Sequence, residues 1–144
     1  MKKLFALFVG LVALQTAACA DDKPIALKDL PAAAQQFLKQ YFPDVKATYA
    51  KVDNDLWGKN YDVLMADGSS VEFDKNGNWT DVSCKASQVP AAVIPQAIRN
   101  HVAQQHPDQR IVSIDRDSKD YEVKLSNGVE LKFDLKFNLI GFDD

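Results

Sequence analysis

Apolar and polar residues alternate with a period of two over two stretches of matching layout, YDVLMADGSSVEFDKNGNW at 61–79 and YEVKLSNGVELKFDLKFNL at 121–139. In the first, Tyr61, Val63, Met65, Val71 and Phe73 share one side, and Asp62, Leu64, Glu72 and Asp74 the other. In the second, Tyr121, Val123, Leu125, Val129, Leu131 and Phe133 oppose Glu122, Lys124, Glu130 and Lys132. Such alternation on either side of Asp67-Gly68 or Asn127-Gly128 predicts a half-buried hairpin. The apolar sets also choose the register. A two-residue loop would pair Leu125 with Glu130 across opposite sides. A three-residue loop, Ser126 to Gly128, pairs Leu125 with Val129, Val123 with Leu131 and Tyr121 with Phe133. This loop is a type I turn followed by a left-handed residue, which glycine adopts without a Cβ clash. The equivalent loop, Ala66 to Gly68, pairs Val63 with Val71 and Tyr61 with Phe73.

The correspondence extends upstream. Leu30-Pro31 matches Ile94-Pro95, Ala33 matches Ala97 and Pro43-Asp44 matches Pro107-Asp108. Each interval predicts a helix, with the first proline in its first turn and the second marking its stop. Leu30, Ala34, Phe37, Leu38 and Tyr41 form one apolar stripe; Ile94, Ala97, Ile98, His101, Val102 and Gln105 form a weaker one. A stripe of that width covers one face of a sheet. Strands are expected near 45–52 and 110–116, then the hairpins, then closing strands near 79–84 and 139–142 whose register the pattern leaves open. The reading is an α+β fold: two α-β4 repeats, about 27–84 and 90–144, sharing one antiparallel sheet of about eight strands. Two helices would roof its apolar face. One copy alone buries too little surface to be more than marginally stable. The opposite face would be charged and open to water.

The copies differ in one place. Pro43 to Tyr61 is 18 steps and Pro107 to Tyr121 is 14, so the first copy carries four extra residues around Asp53-Asn54-Asp55-Leu56-Trp57-Gly58. Trp57 in this expected hairpin tip reads either as a lid over the core edge or as a partner anchor, since tryptophan is enriched at binding hot spots.

Residues 1–20 read as an export signal: Lys2 and Lys3, an apolar run from Leu4 to Leu14, then small residues ending Ala18-Cys19-Ala20. The run is too short to span a bilayer. Cleavage before Asp21 is favoured over lipidation of Cys19, because Thr16 stands where a lipobox usually carries leucine. Removing residues 1–20 takes two lysines away, leaving 15 basic residues against 20 acidic and a net charge of −5. A domain of that length and mild acidity, 21–144, argues against nucleic acid and anionic membranes as partners. Cys84 is then left without an intramolecular partner, so packing rather than disulfides must hold the domain together. It reads as a small, half-buried apolar residue.

No catalytic constellation emerges. His101 occupies the place of Phe37 and is expected to line the helix–sheet contact; His106 ends its helix, where a cation is favourable. Neither has a ligand at metal spacing, and no serine lies in a nucleophile elbow. Asp74-Lys75-Asn76-Gly77-Asn78 opens like a calcium loop, but its twelfth position is Lys85 rather than glutamate; a hairpin turn is the better reading. No cofactor, catalytic or metal residue is assigned.

The paired units, LP-helix-FP, strand, then YxV…DG…(V/L)xFD…N, resemble the PepSY-like family, also termed β-lactamase-inhibitor-like. The likeness rests on Leu30-Pro31, Phe42-Pro43, Tyr61, Gly68, Phe73, Asp74, Pro95, Pro107, Tyr121, Gly128, Phe133 and Asp134. The resemblance implies a curved eight-stranded sheet with helices on its convex side, and peptidase restraint as a looser analogy. The tandem fold and the absence of a catalytic constellation point to an exported, non-enzymatic module that contacts a protein or peptide. The expected contact residues are Trp57, Asp62, Leu64, Glu72, Lys124 and Lys132, and the expected location is periplasmic or secreted. The alternative, from another class, is a carrier of a small molecule or metal on the acidic open face.

Overall fold

The computed structural model describes residues 22–56 and 58–144, the side chain of Asp55 excepted. The export segment, Cys19 and Trp57 therefore lie outside the described residues. The elements in order are β1 (Asp22–Ile25), a 3-10 turn (Leu27–Asp29), α1 (Ala32–Tyr41), β2 (Ala47–Asp55), β3 (Gly58–Met65), β4 (Ser70–Phe73) and β5 (Trp79–Ser83). A second 3-10 turn (Ala91–Val93) leads into α2 (Gln96–Gln105), β6 (Ile111–Arg116), β7 (Asp120–Leu125), β8 (Glu130–Asp134) and β9 (Leu139–Asp143).

All nine strands form one antiparallel sheet in chain order, β1 to β9. The expected eight strands are present, and β1 is added at the edge of β2, pairing Asp22 with Asp53 and Ile25 with Ala50. Pro24 lies in β1, where its missing N–H costs no ladder bond if that side faces outward. Both hairpins have the predicted register: Tyr61 opposes Phe73 and Val63 opposes Val71; Tyr121 opposes Phe133 and Val123 opposes Leu131. The loops close through Met65 N–H to Ser69 O and Leu125 N–H to Val129 O, each 2.8 Å, with Gly68 at φ 90° and Gly128 at φ 93°.

The helices pack on the face bearing the predicted aromatic residues. Phe37 of α1 meets the Phe73 ring edge-on at 5.5 Å, and His101 of α2 meets Phe133 in the same way at 5.3 Å. Ala34, Phe37, Ile98 and Val102 join Val63, Val71, Phe73, Val82, Ile114, Val123, Leu131 and Phe133 in one core. The stripe on α2 is narrower than expected, since Ala97 and Gln105 are exposed. Pro31 and Pro95 stand one residue ahead of the first helical residue, and their carbonyls accept the first helical bonds, from Gln35 and Arg99.

Two further local features differ from expectation, at the β2–β3 hairpin and at Cys84, and the register that the pattern left open is fixed for the closing strands. The four extra residues of the first half lengthen the β2–β3 hairpin, pairing as far as Asp55 with Gly58, instead of forming a polar loop. The closing strands each enter through a bulge, so Phe73 pairs with Trp79 and Phe133 with Leu139. Cys84 is fully buried rather than half-buried, and that burial pushes its thiol pKa up against a hydrogen bond from Ser69 that lowers it.

Candidate functional site: the open face of the sheet

Side chains alternate across a strand, so the residues between the core positions all project from the uncovered face. The registers line these residues up. Lys51 opposes Asp62, Asp62 opposes Glu72, Glu72 opposes Asp81, Asp81 opposes Asp115, Asp115 opposes Glu122 and Glu122 opposes Lys132. Five carboxylates thus stand side by side on β3 to β7, with one lysine at each end. A parallel file beside them runs Tyr49, Leu64, Ser70, Ser83, Ser113, Lys124 and Glu130. It is neutral at its centre and apolar at the β2–β3 end, where Leu64 is 45% exposed and Tyr49 44%.

Like charges placed directly opposite one another in a sheet repel, and at the inner carboxylates this adds to the larger effect of burial. Burial pushes Glu72 up to about 7, with the charges of Asp62, Asp81 and Asp53 adding to it and Lys51 opposing. Partial desolvation, then Asp81, Glu122, Asp117 and Asp120, raise Asp115 to about 6. Asp62 and Asp81 are raised as well, each chiefly by burial; Lys51 works against the rise at Asp62, and the charge of Asp62 adds to that at Asp81. At the β2 end, Lys51 Nζ lies 3.2 Å from Asp22 Oδ2 and 3.8 Å from Asp62 Oδ2. Burial alone would lower the Lys51 pKa, but the hydrogen bond and charge of Asp22, with Asp62 and Asp53, outweigh it and raise it.

Of the residues expected to meet a partner, Asp62, Glu72 and Lys132 belong to the acidic file, and Leu64 and Lys124 to its neighbour. Asp74 does not join them: its Oδ1 accepts from the Asn76 and Asn78 N–H groups, both near 3 Å, and closes the β4–β5 turn. The turn at Asp134 is built in the same way by the Lys136 and Asn138 N–H groups. Lys51, Asp81 and Asp115 are members of the file that the hairpin pattern did not supply. Alternation alone would have marked Lys51 between Ala50 and Val52. Among the described residues, no group of three or more His, Cys, Asp or Glu side chains converges as a metal centre would, and no helix is long and apolar enough to cross a membrane.

Known proteins agree with this architecture. The family model described as "Putative beta-lactamase-inhibitor-like, PepSY-like" matches residues 59–141. A "putative calcium-regulated periplasmic protein" from Bacteroides thetaiotaomicron is 54% identical, at a TM-score of 0.84, over 86% of this chain and 98% of its own. A periplasmic protein from Bacteroides vulgatus is 52% identical over 87% and 98% of the two chains, with the same TM-score. Another from that organism, of unknown function, is 34% identical over 85% and 99%, at 0.82. No curated protein matches. All three solved proteins are described as periplasmic, and the place of this chain is accordingly periplasmic or secreted. With a matched segment spanning more than half the sequence, and solved relatives of the same architecture over nearly their full lengths, the chain belongs to the PepSY-like, beta-lactamase-inhibitor-like family.

Proposed function

We propose that the protein is a non-catalytic exported binding module whose open sheet face receives a cationic segment of a protein or peptide. The observation that carries this reading is the file Asp62, Glu72, Asp81, Asp115 and Glu122. Its inner members, Glu72, Asp81 and Asp115, repel one another, and among the described residues none of them is in an ion pair. A ligand bringing positive charge relieves that repulsion, and its binding therefore gains more than an isolated surface ion pair would give. With strands about 4.8 Å apart, five consecutive carboxylates span roughly 19 Å. An extended peptide with basic side chains matches that reach. Leu64, Lys124, Lys132 and the Trp57 tip are assigned the flanking contacts that set orientation. By family analogy the partner is an exported peptidase held in restraint. A face with so many charges suits β-lactamase inhibition poorly, because buried interface cores are depleted in charge. The two matched halves, about 27–84 and 90–144, are read as duplicated units of one domain.

Titration calorimetry with a lysine-rich peptide tests the reading. Affinity is expected to fall as salt rises from about 50 to 300 mM, in keeping with charge screening, and to be lost in a Glu72→Gln, Asp81→Asn, Asp115→Asn triple variant. Equal binding by the triple variant would dismiss the acidic file as the site. Trp57→Ala should weaken binding more modestly.

A second reading is calcium-dependent behaviour, favoured by the description of the 54%-identical protein as calcium-regulated. No three carboxylates of the file converge, but neighbouring pairs such as Glu72 and Asp81 offer the kind of oxygen donor calcium prefers, with water completing its shell. Calcium at millimolar concentration should then raise the melting temperature of the wild type and not of the triple variant.

A further inference from the structure

On the other side of the sheet, away from the acidic file, a cavity of about 440 Å³ opens between α1 and the start of β2. Leu27, Leu30, Leu38, Phe42, Ala47 and Met65 supply its apolar wall, and no acidic side chain lines it. Lys28 and Lys39 stand among its lining residues, both exposed, and among the described residues neither has an ion-pair partner. Gln35 donates from Nε2 to Lys28 O at 3.2 Å and Leu30 O at 2.9 Å, which ties the 3-10 turn to the helix as a lip of the cavity.

The second half provides an internal comparison. The corresponding groove between α2 and β6 is about 240 Å³. Arg99 replaces Gln35 and donates from Nε to Ile94 O at 3.1 Å. An exchange that adds bulk is on the strand: Ile111 lines that groove where Ala47 lines the larger one. Both residues stand at the same register position, Ala47 opposite Met65 and Ile111 opposite Leu125, just before a bulge. Where the second half fills the space with a side chain, the first leaves it empty. Its volume and apolar lining with few polar groups are those of small-molecule sites.

We propose that this cavity binds a free fatty acid, with the acyl chain between α1 and β2 and the carboxylate at Lys28 and Lys39. The apolar wall takes the chain by burial. The two lysines, in a protein otherwise rich in acid, give the mouth the sign that selects an anionic head over a cationic or neutral one.

Calorimetry with dodecanoate below its micellar concentration tests this, with dodecanol and dodecyltrimethylammonium as neutral and cationic controls. The wild type is expected to bind dodecanoate at one site and more tightly than either control. Ala47→Ile installs the residue that the second half already carries there, and it should cut affinity about tenfold or more by filling the space. Should Ala47→Ile lower the melting temperature, the Lys28→Glu, Lys39→Glu variant still decides, because both positions are exposed. It should reverse the head-group preference toward dodecyltrimethylammonium and weaken dodecanoate about tenfold. No saturable binding to the wild type overturns the proposal. So does unchanged binding by a stably folded Ala47→Ile, or a head-group preference indifferent to the lysines. An apolar helical peptide binding in place of dodecanoate would assign the groove to a protein partner and overturn it as well.

Discussion

Glu72 has a carboxylate on either side, Asp62 across one ladder and Asp81 across the other. Its pKa is pushed from the ordinary 4.5 to about 7, so between those values the folded state holds a proton that the unfolded chain has released. Stability from this group is therefore full below about 4.5 and lost as pH rises toward and through 7, the reverse of the usual carboxylate contribution. Asp115, raised to about 6, acts in the same direction over a slightly lower window. Thermal melts should show a higher midpoint near pH 5 than near pH 8, and Glu72→Gln should flatten that slope; a midpoint that instead climbs from pH 5 to 8 would contradict it. Asp62 and Glu72 were legible as open-face residues because both lie in a hairpin whose turn fixes the count. Asp81 was not, because a bulge at Thr80, between the partners of Phe73 and Glu72, breaks the alternation inside β5. Asp115 was hidden for another reason: β6 lies outside both predicted hairpins, and one of its two cross-strand neighbours, Asp81, is in the other half of the chain.

At the scale of elements, one turn design serves twice with different residues at its hardest position. Gly77 takes φ 86° in the first half, and Phe137 takes φ 69° at the same place in the second. A Cβ on Gly77 would approach the Ala34 nitrogen and Pro31 Cβ to 2.9 Å, so α1 sits directly on this turn. Phe137 instead packs its ring 5.5 Å from Tyr121 and gains apolar contact that offsets its left-handed backbone. Gly77→Ala should cost roughly 3 kcal/mol or more, the left-handed penalty plus overpacking. Gly68→Ala meets open space and should cost roughly 1–2 kcal/mol from its backbone alone. Denaturant midpoints compare the two, and equal losses would remove the helix contact from the account. The three-residue loops were readable because glycine and the apolar sets agreed. The lengthened β2–β3 hairpin was not, since Asp53, Asn54 and Asp55 carry turn chemistry that the ladder overrides. Strand β1 was missed because Pro24 speaks against a strand and Asp22–Ile25 shows no alternation; it exists only because β2 presents an edge to it.

For the whole molecule, the two halves meet along the β5–β6 ladder through Asp81–Asp115, Val82–Ile114 and Ser83–Ser113. Val82 and Ile114 are both fully buried, so each half supplies the cover for an apolar residue of the other. Residues 22–88 expressed alone should give no cooperative melt, and mixing with 89–144 should restore one; circular dichroism reads both, and a sharp transition in the isolated half would show it self-sufficient. The architecture was readable at this scale because the halves repeat one pattern of apolar positions. The cavity beside α1 was not, because exchanges of one apolar residue for another of different size, such as Ala47 against Ile111, leave the pattern unchanged.

The same run of carboxylates has an effect on copies of the protein that meet in solution. Two molecules approaching sheet to sheet would set one negative rank against another, with no lysine near the middle of either to bridge them. A broad, uncovered β-surface ordinarily invites stacking between like molecules; here its own charge refuses an identical neighbour and leaves the surface vacant for one of opposite sign.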